Sequence, residues 1–376
     1  MFSSDELVRY ARQIAMPEIG TVGQERLRAG RVLIVGAGGL GSPAALYLAA
    51  AGVGTLGLID FDVVDPSNLH RQLLHGTSSI GLQKVDSARQ RLADVNPNVE
   101  FVGYAESLSS QNALDIVRAY DIVVDASDNF PTRYLVNDAC MLSGVPVVYG
   151  SVERFEGQIS VFGLEAGPCY RCLFREPPPS ELVRSCAEAG VLGVIPGLVG
   201  TIQAAEVVKL LTGVGEPLSG RLLIVDAKRM RFRSIEIHRD PMCPVCGTHE
   251  QTSLIDYEAF CGVSAHAPGP SDLETEPRAL AQRLAAGAPV ALIDVREQWE
   301  YDLARLPGAR LVAGDVLAHP ERGVPRDRDV VLYCHHGVRS EYWAAALRAR
   351  GFDRVWHLRG GIDAWSNEVD PTVPRY

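Results

Sequence analysis

Continuous apolar runs of about five residues recur along the first part of the chain and alternate with segments spaced for helices. Arg31 to Val35 (RVLIV), Leu56 to Ile59, Glu100 to Tyr104, Asp121 to Asp125 (DIVVD) and Val145 to Tyr149 read as strands. The lack of apolar–polar alternation in Arg31 to Val35, Asp121 to Asp125 and Val145 to Tyr149 suits parallel strands covered on both faces. Pro43 to Ala51 and the stretch from Lys84 through Leu92 read as helices between them, and Asp5 to Ile14, capped by Ser4, as a partly periodic helix before them. Strands alternating with helices predict an α/β fold with a doubly wound, Rossmann-like sheet. Later runs at Leu222 to Ala227 and Met230 to His238 read as further strands, with Arg229, Arg231 and Arg233 on a solvated face. After Val263 to Asp272 (VSAHAPGPSD), which has little to bury, the pattern restarts with a helix at Pro277 to Ala286 and strands at Val290 to Arg296 and Asp329 to Tyr333. The expected division is a first domain over 1–262, a linker over 263–272, and a smaller α/β domain over 273–376.

Length leaves room for a substantial core in each part. The most apolar window, Ala189 to Leu211, is interrupted by Pro196, Gln203, Glu206 and Lys209, which predicts a buried helix pair and no membrane span. A net charge of −10 argues against nucleic acid as a partner. The opening MFSSDELVRY has no signal-peptide character, so a cytoplasmic enzyme is expected. In that setting the two C-x-x-C pairs among the eight cysteines suggest metal or thiol chemistry before disulfides.

Between the first two strands, Gly36, Gly38 and Gly41 form G-x-G-x-x-G. These glycines allow the tight turn, the approach of backbone to phosphate and close helix–strand packing, and the helix N-terminus faces an anion. Asp60, at the end of the second strand, can hydrogen-bond a ribose hydroxyl. Alone, the motif favours a dinucleotide oxidoreductase. Asn68, Arg71, Lys84 and Asp128 change that reading, because a nicotinamide site has no evident need for them. Adenylation of a carboxylate needs cations on the attacked phosphate and a carboxylate for magnesium on the departing pyrophosphate.

GAGGLG (36–41), SNLHRQ (67–72), Lys84 within GLQKV and DASDN (125–129) resemble the ubiquitin-activating superfamily in its bacterial sulfur-carrier branch, with its molybdopterin-synthase adenylyltransferases and ThiF-like enzymes. The resemblance spans residues 5–260. It implies an ATP site in which Gly36, Gly38, Gly39 and Gly41 approach the phosphates and Asp60 takes the ribose. Arg71 and Lys84 would contact the phosphates, Asn68 would assist, and Asp128, with Asn129 beside it, would hold magnesium. Arg12 in RYARQ would reach into the ATP site of the partner subunit of a homodimer.

Cys169-x-x-Cys172 and Cys243-x-x-Cys246 can offer four thiolates in a tetrahedron, the donor set of a closed structural zinc site; redox or simply buried cysteines are the alternative. Between the pairs, Cys186 follows a Pro177–Pro179 lead-in. The resemblance implies a thioester or acyl disulfide with a carrier protein there. A half-buried cysteine on a loop is the plain reading, with Arg184 its only nearby cation. Cys140 falls in an apolar helix and reads as core.

In the second part, a strand runs into Cys334-His-His-Gly-Val-Arg339-Ser340. Loop N–H groups and the following helix N-terminus can stabilise an anion on that sulfur, and Arg339 can hold an anionic donor or the persulfide charge. LIDVR, LPGA, C-x-x-G-x-R-S and GGIDAW (360–365) together resemble the rhodanese family. Cysteine phosphatases use C-x5-R; the spacing here is C-x4-R, which favours sulfur. Ala304-Arg305, where G-H is commoner, reads as a surface change, and His335 and His336 as exposed loop residues. The joint resemblance implies ATP-dependent adenylation of the C-terminal carboxylate of a ubiquitin-like sulfur-carrier protein ending in Gly-Gly. Sulfur from thiosulfate or a cysteine-desulfurase persulfide would then pass through Cys334 to give a thiocarboxylate. A rhodanese domain that only docks the carrier is the alternative. The implied cofactors are ATP, magnesium and zinc.

Overall fold

A computed structural model describes residues 2–178, 190–262, 272–312, 317, 319–320 and 323–375. Cys186 and Arg184, and all of the expected linker but its last residue, lie outside them. The chain divides into two compact units, Met1–Ala265 and His266–Tyr376.

The first unit opens with α1 (Ser4–Ile14) and α2 (Gly20–Ala29). The cap of α1 is Ser3, one residue earlier than expected. Its hydroxyl accepts from the Glu6 amide while the Glu6 carboxylate accepts from the Ser3 amide, so the two end groups satisfy each other. Then follow β1 (Arg31–Val35), α3 (Gly41–Ala51), β2 (Thr55–Ile59), α4 (Lys84–Val95), β3 (Glu100–Tyr104), α5 (Ala113–Val117), β4 (Ile122–Asp125) and α6 (Phe130–Ser143). After β5 (Val147–Glu153) and β6 (Glu156–Phe162) come the short α7 (Tyr170–Leu173), α8 (Val194–Thr212), β7 (Arg221–Asp226), β8 (Arg231–Glu236) and α9 (Tyr257–Phe260). One eight-stranded sheet runs β3-β2-β1-β4-β5-β6-β7-β8. Pairing is parallel from β3 to β5 and antiparallel from β5 to β8. The parallel half is the expected Rossmann-like part, and the antiparallel half is a departure from a uniformly doubly wound sheet.

Strand β1 explains why the apolar runs do not alternate. Val32 and Ile34 enter one core with α3 and α8, while Leu33 and Val35 enter the other with α5 and α6. Both faces are covered, so both sets must be apolar. The apolar window after residue 190 is a single helix, not the expected pair: Pro196 sits in the first turn of α8, where a missing N–H costs nothing. Among the described residues α8 is the one helix long and apolar enough to cross a membrane. It packs Val199, Ala204 and Val207 into the core, and its Gln203 donates to the carbonyls of Asp125 and Val148. Strand β8 is exposed along its whole length, on both faces rather than one. Arg231 and Arg233 lie on it, but Arg229 precedes it and pairs with Asp226 at 3.1 Å.

The second unit contains β9 (Glu274–Thr275), α10 (Pro277–Ala285), β10 (Val290–Asp294), α11 (Gln298–Leu303), β11 (Arg310–Leu311), β12 (Asp329–Tyr333), α12 (Val338–Ala349), β13 (Val355–Leu358) and α13 (Gly361–Glu368). Its five strands pair in parallel in the order β11-β10-β12-β13-β9. Val330 and Leu332 pack with Ala344 and Leu347 of α12, whereas Val331 and Tyr333 pack with Leu280 of α10 and Ile362 and Trp365 of α13. Strand β12 is therefore covered on both sides and delivers Cys334 at its carboxyl end.

Candidate functional sites

Beyond the carboxyl ends of the parallel strands of the first unit lies a cavity of about 1080 Å³. Gly36, Gly38 and Gly39 line it, with Asp60, Arg71, Lys84, Asp128 and Asn129. Gly41 stands behind it, opening α3, where any Cβ would overlap the Gly36 carbonyl oxygen. Asp60 pins the glycine loop: one carboxylate oxygen accepts from the Ala37 amide at 2.8 Å, the other from the Asp62 amide at 2.9 Å. Lys84 is buried, with its ammonium 2.7 Å from Asp62 and 3.7 Å from Asp60. Asp128 is exposed to the cavity, and Asn129 caps α6 by accepting from the Thr132 amide.

Besides Gly41, two expected members stand outside the lining. Arg12 is exposed on α1, and Asn68 is half-buried with its amide 3.3 Å from the Ser67 hydroxyl. Other residues carry no motif signal yet belong to the site. Arg133 is a buried cation on α6 facing the cavity, its guanidinium over the rings of Phe130 and Tyr149. Burial raises the Asp125 carboxyl, against the opposing pull of Arg133 and the Ser127 hydroxyl. Leu254 to Glu258, over a hundred residues after the nucleotide motifs, form part of the wall.

The sulfurs of Cys169, Cys172, Cys243 and Cys246 all lie within 4.8 Å of one another, with the shorter separations at 3.3, 3.6 and 3.9 Å. Four thiolates about 2.3 Å from a central zinc ion would stand about 3.8 Å apart, so the donor set and its spacing fit zinc. Hydrogen bonding to Cys169 lowers the Cys172 thiol. The amides of Cys169 and Asp240 point at the Cys172 sulfur, as expected around a thiolate. Between the first two cysteines, Arg171 makes a two-pronged 2.8 Å pair with Asp138 in the interior. Asp138 also accepts from Gln251 and Tyr257, at 2.7 and 2.8 Å. Either charge left alone there would cost about 3–5 kcal/mol, so the knuckle is fixed to α6 and to the cavity wall that Tyr257 helps form.

In the second unit Cys334 is almost fully buried at the base of its loop. Its sulfur accepts from the Gly337 amide at 3.1 Å and lies 3.6 Å from the Ser340 hydroxyl. The Gly360-Gly361 pair explains itself here: the amides of Ile362 and Asp363 donate to the carbonyls of Cys334 and His335, and a Cβ on Gly361 would strike both carbonyls. The guanidinium of Arg339 is held by Glu300 in a two-pronged contact at 2.8 and 2.9 Å. Glu300 is buried; hydrogen bonds and charge from Arg339 outweigh that burial and lower its carboxyl. The motif did not reveal this partner. Two loop expectations are corrected. His335 is half-buried and stacks on His336 with centroids 4.0 Å apart, and burial pushes it down to about 4. Ala304 is buried, its carbonyl accepting from Arg296, so only Arg305 is at the surface.

A Rossmann-like nucleotide cavity with a four-thiol cluster, and a separate parallel α/β unit with a cysteine in an amide-lined loop, define a two-part enzyme of nucleotide and sulfur chemistry. The family models agree: the ThiF family matches residues 10–245 and the rhodanese-like domain matches 276–368. The chain belongs to the ThiF family and carries a C-terminal rhodanese-like domain. It is 46% identical to the probable adenylyltransferase/sulfurtransferase MoeZ of Mycobacterium tuberculosis, over 100% of this chain and 96% of that one. It is also 46% identical to the adenylyltransferase and sulfurtransferase MOCS3 of Sus scrofa, over 100% and 88%. Among solved structures, E. coli MccB with ATP aligns with 64% of this chain and 75% of its own at a TM-score of 0.57. At 22% identity that likeness is one of fold.

Proposed function

We propose that this enzyme adenylates the C-terminal glycine carboxylate of a ubiquitin-like sulfur-carrier protein and then replaces one carboxylate oxygen with sulfur. The observation that carries the first step is the cavity in which the glycine loop faces Arg71, Lys84 and Asp128. A carrier carboxylate oxygen attacks the α-phosphorus of ATP, pyrophosphate leaves, and an acyl-adenylate forms. Arg71 and Lys84 offset the charge gathering on the phosphates, Asp60 holds the ribose, and Asn68 assists from the adjoining turn. Asp128 would hold magnesium, which supplies positive charge for the departing pyrophosphate. Arg12, exposed on α1, is free to serve the partner site of a homodimer.

For the second step, the Cys334 thiolate attacks the sulfane sulfur of thiosulfate or of a desulfurase persulfide, sulfite or the desulfurase thiolate leaves, and a Cys334 persulfide forms. The terminal persulfide sulfur attacks the acyl carbon, AMP departs, and an acyl disulfide to Cys334 results. Two thiols, which become a disulfide, then supply two electrons to cleave the S–S bond and leave the carrier thiocarboxylate; the attack runs directly from Cys334 or after relay through Cys186. The working division is 1–262 for adenylation, 263–272 as linker and 273–376 for sulfur transfer. Full-length relatives named for both activities support this reading over a rhodanese domain that only docks.

The direct test incubates the protein with Mg-ATP, thiosulfate, a thiol reductant and a carrier ending in Gly-Gly. The carrier mass should rise by about 16 Da, the exchange of oxygen for sulfur. AMP release without that gain would leave adenylation and refute sulfur transfer. Zinc at Cys169, Cys172, Cys243 and Cys246 is structural in this reading, since four protein ligands leave no open position. Elemental analysis should find one zinc per chain. Cys243→Ser should lose it and lower Tm by on the order of 10 °C.

A further inference from the structure

The turn that carries Arg71 also holds two polar side chains to which the adenylation reading gives no role. Within it the Gln72 amide donates to the Asn68 carbonyl, and the His75 amide donates to the Gln72 carbonyl, each at 3.0 Å. The His75 ring is buried between two elements of the nucleotide site. Its Nε2 is 3.1 Å from the Ala37 carbonyl of the glycine loop, and its Nδ1 is 2.9 Å from the Ser87 hydroxyl on α4. A carbonyl only accepts, so Nε2 carries the proton and Nδ1 accepts from Ser87. The turn is thereby tied to the glycine loop on one side and to the helix opened by Lys84 on the other.

Gln72 is held over the glycine loop by this arrangement. It is 4% exposed and lines the cavity, and its Nε2 comes within 3.9 Å of where a Cβ on Gly38 would lie. Its Oε1 is buried and has no hydrogen-bond partner among the described residues. A buried carboxamide left in that state destabilises the ligand-free protein, and a polar group is kept there at a cost only if something meets it. The bland alternative is a core glutamine served by a water. The place of this one, above the loop whose amides face the phosphates, favours a ligand.

We infer that Gln72 is a nucleotide-binding residue, donating an N–H of its carboxamide to a phosphate oxygen of the nucleotide bound over Gly38. The Nε2 end, which lies nearest Gly38, presents that donor as the side chain stands. The inference rests on the ATP-binding reading, and its test separates the two. ATP affinity in the presence of magnesium is measured by calorimetry, and Tm without ligand is measured alongside, for wild type, Gln72→Met and Gln72→Glu. Met keeps the length and removes the unpaired polar group. Its ligand-free Tm should match or exceed wild type, while ATP affinity falls on the order of tenfold. A merely structural glutamine would lower Tm and leave affinity alone. Glu keeps an acceptor but adds negative charge beside the phosphates, so it should bind ATP more weakly than Met. Equal affinity in wild type and Gln72→Met overturns the inference. Wild-type affinity in Gln72→Glu with loss in Gln72→Met means the partner is a donor such as a ribose hydroxyl, and overturns the phosphate assignment. Failure of the wild type itself to bind ATP overturns the underlying reading and takes this inference with it.

Discussion

Cys334→Ala is expected to abolish sulfur transfer to the carrier while ATP–pyrophosphate exchange stays within about twofold of wild type. The loss should be complete because no other sulfur among the described residues is placed to substitute. Cys169, Cys172, Cys243 and Cys246 face one another in a single cluster. Cys140 and Cys261 are buried among apolar side chains, and burial drives the Cys140 thiol well up and the Cys261 thiol to about 11. A thiol kept protonated is a poor nucleophile. Cys334 differs in having the Gly337 amide 3.1 Å from its sulfur and Ser340 close by. Adenylation should survive because Cys334 belongs to the second compact unit, whereas the nucleotide cavity is built wholly within the first. Intact-mass measurement after exposure to a sulfur donor gives a second readout. Wild type should gain about 32 Da as the persulfide, and the variant nothing. Carrier thiocarboxylate formed by Cys334→Ala would mean that sulfur enters elsewhere, with Cys186 the next residue to replace.

Legibility from the chain followed how local each feature is. Strands β1, β2, β4 and β5 announce themselves because covering both faces demands apolar runs, and the glycine loop because its backbone path admits few residues. The Cys334 loop is legible for the same reason, as its cradle is built from consecutive residues. Contacts that close over long separations were hidden. Glu300 lies 39 positions before Arg339, and nothing in either segment pairs them; only the fold brings α11 to the start of α12. Motif reasoning therefore assigned Arg339 to the donor or the persulfide, although its guanidinium already has a carboxylate. Arg133 and the Leu254 to Glu258 wall were missed likewise, each looking like an ordinary polar residue or loop in its own neighbourhood. The expected break in α8 has a different origin. Proline signals a helix boundary, and here it marks the first turn of one helix, not a junction between two.

The second large effect is expected at Lys84. Lys84→Met should cut ATP–pyrophosphate exchange by about two to three orders of magnitude, with persulfide loading of Cys334 unchanged. Lys84 is the buried cation of the cavity that stands between Asp60 and Asp62, at 3.7 and 2.7 Å. Met fills much of the same space but leaves two carboxylates facing the region where phosphates must come. The variant thus loses an attraction for the nucleotide and gains a repulsion, and both penalties grow as negative charge shifts onto the phosphates in the transition state. Lys84→Arg keeps the charge in a broader, planar head that a buried slot fitted to an ammonium accepts poorly, so it should recover only part of the rate. Replacing Asp62 with Asn in the Lys84→Met background removes one of the two carboxylates left without a cation and should restore nucleotide binding more than it restores rate. Exchange rates and ATP affinities of the three variants separate these contributions. Near-wild-type exchange in Lys84→Met would show that Arg71 and Arg133 suffice for the phosphates, and would reduce Lys84 to a counter-ion for Asp60 and Asp62.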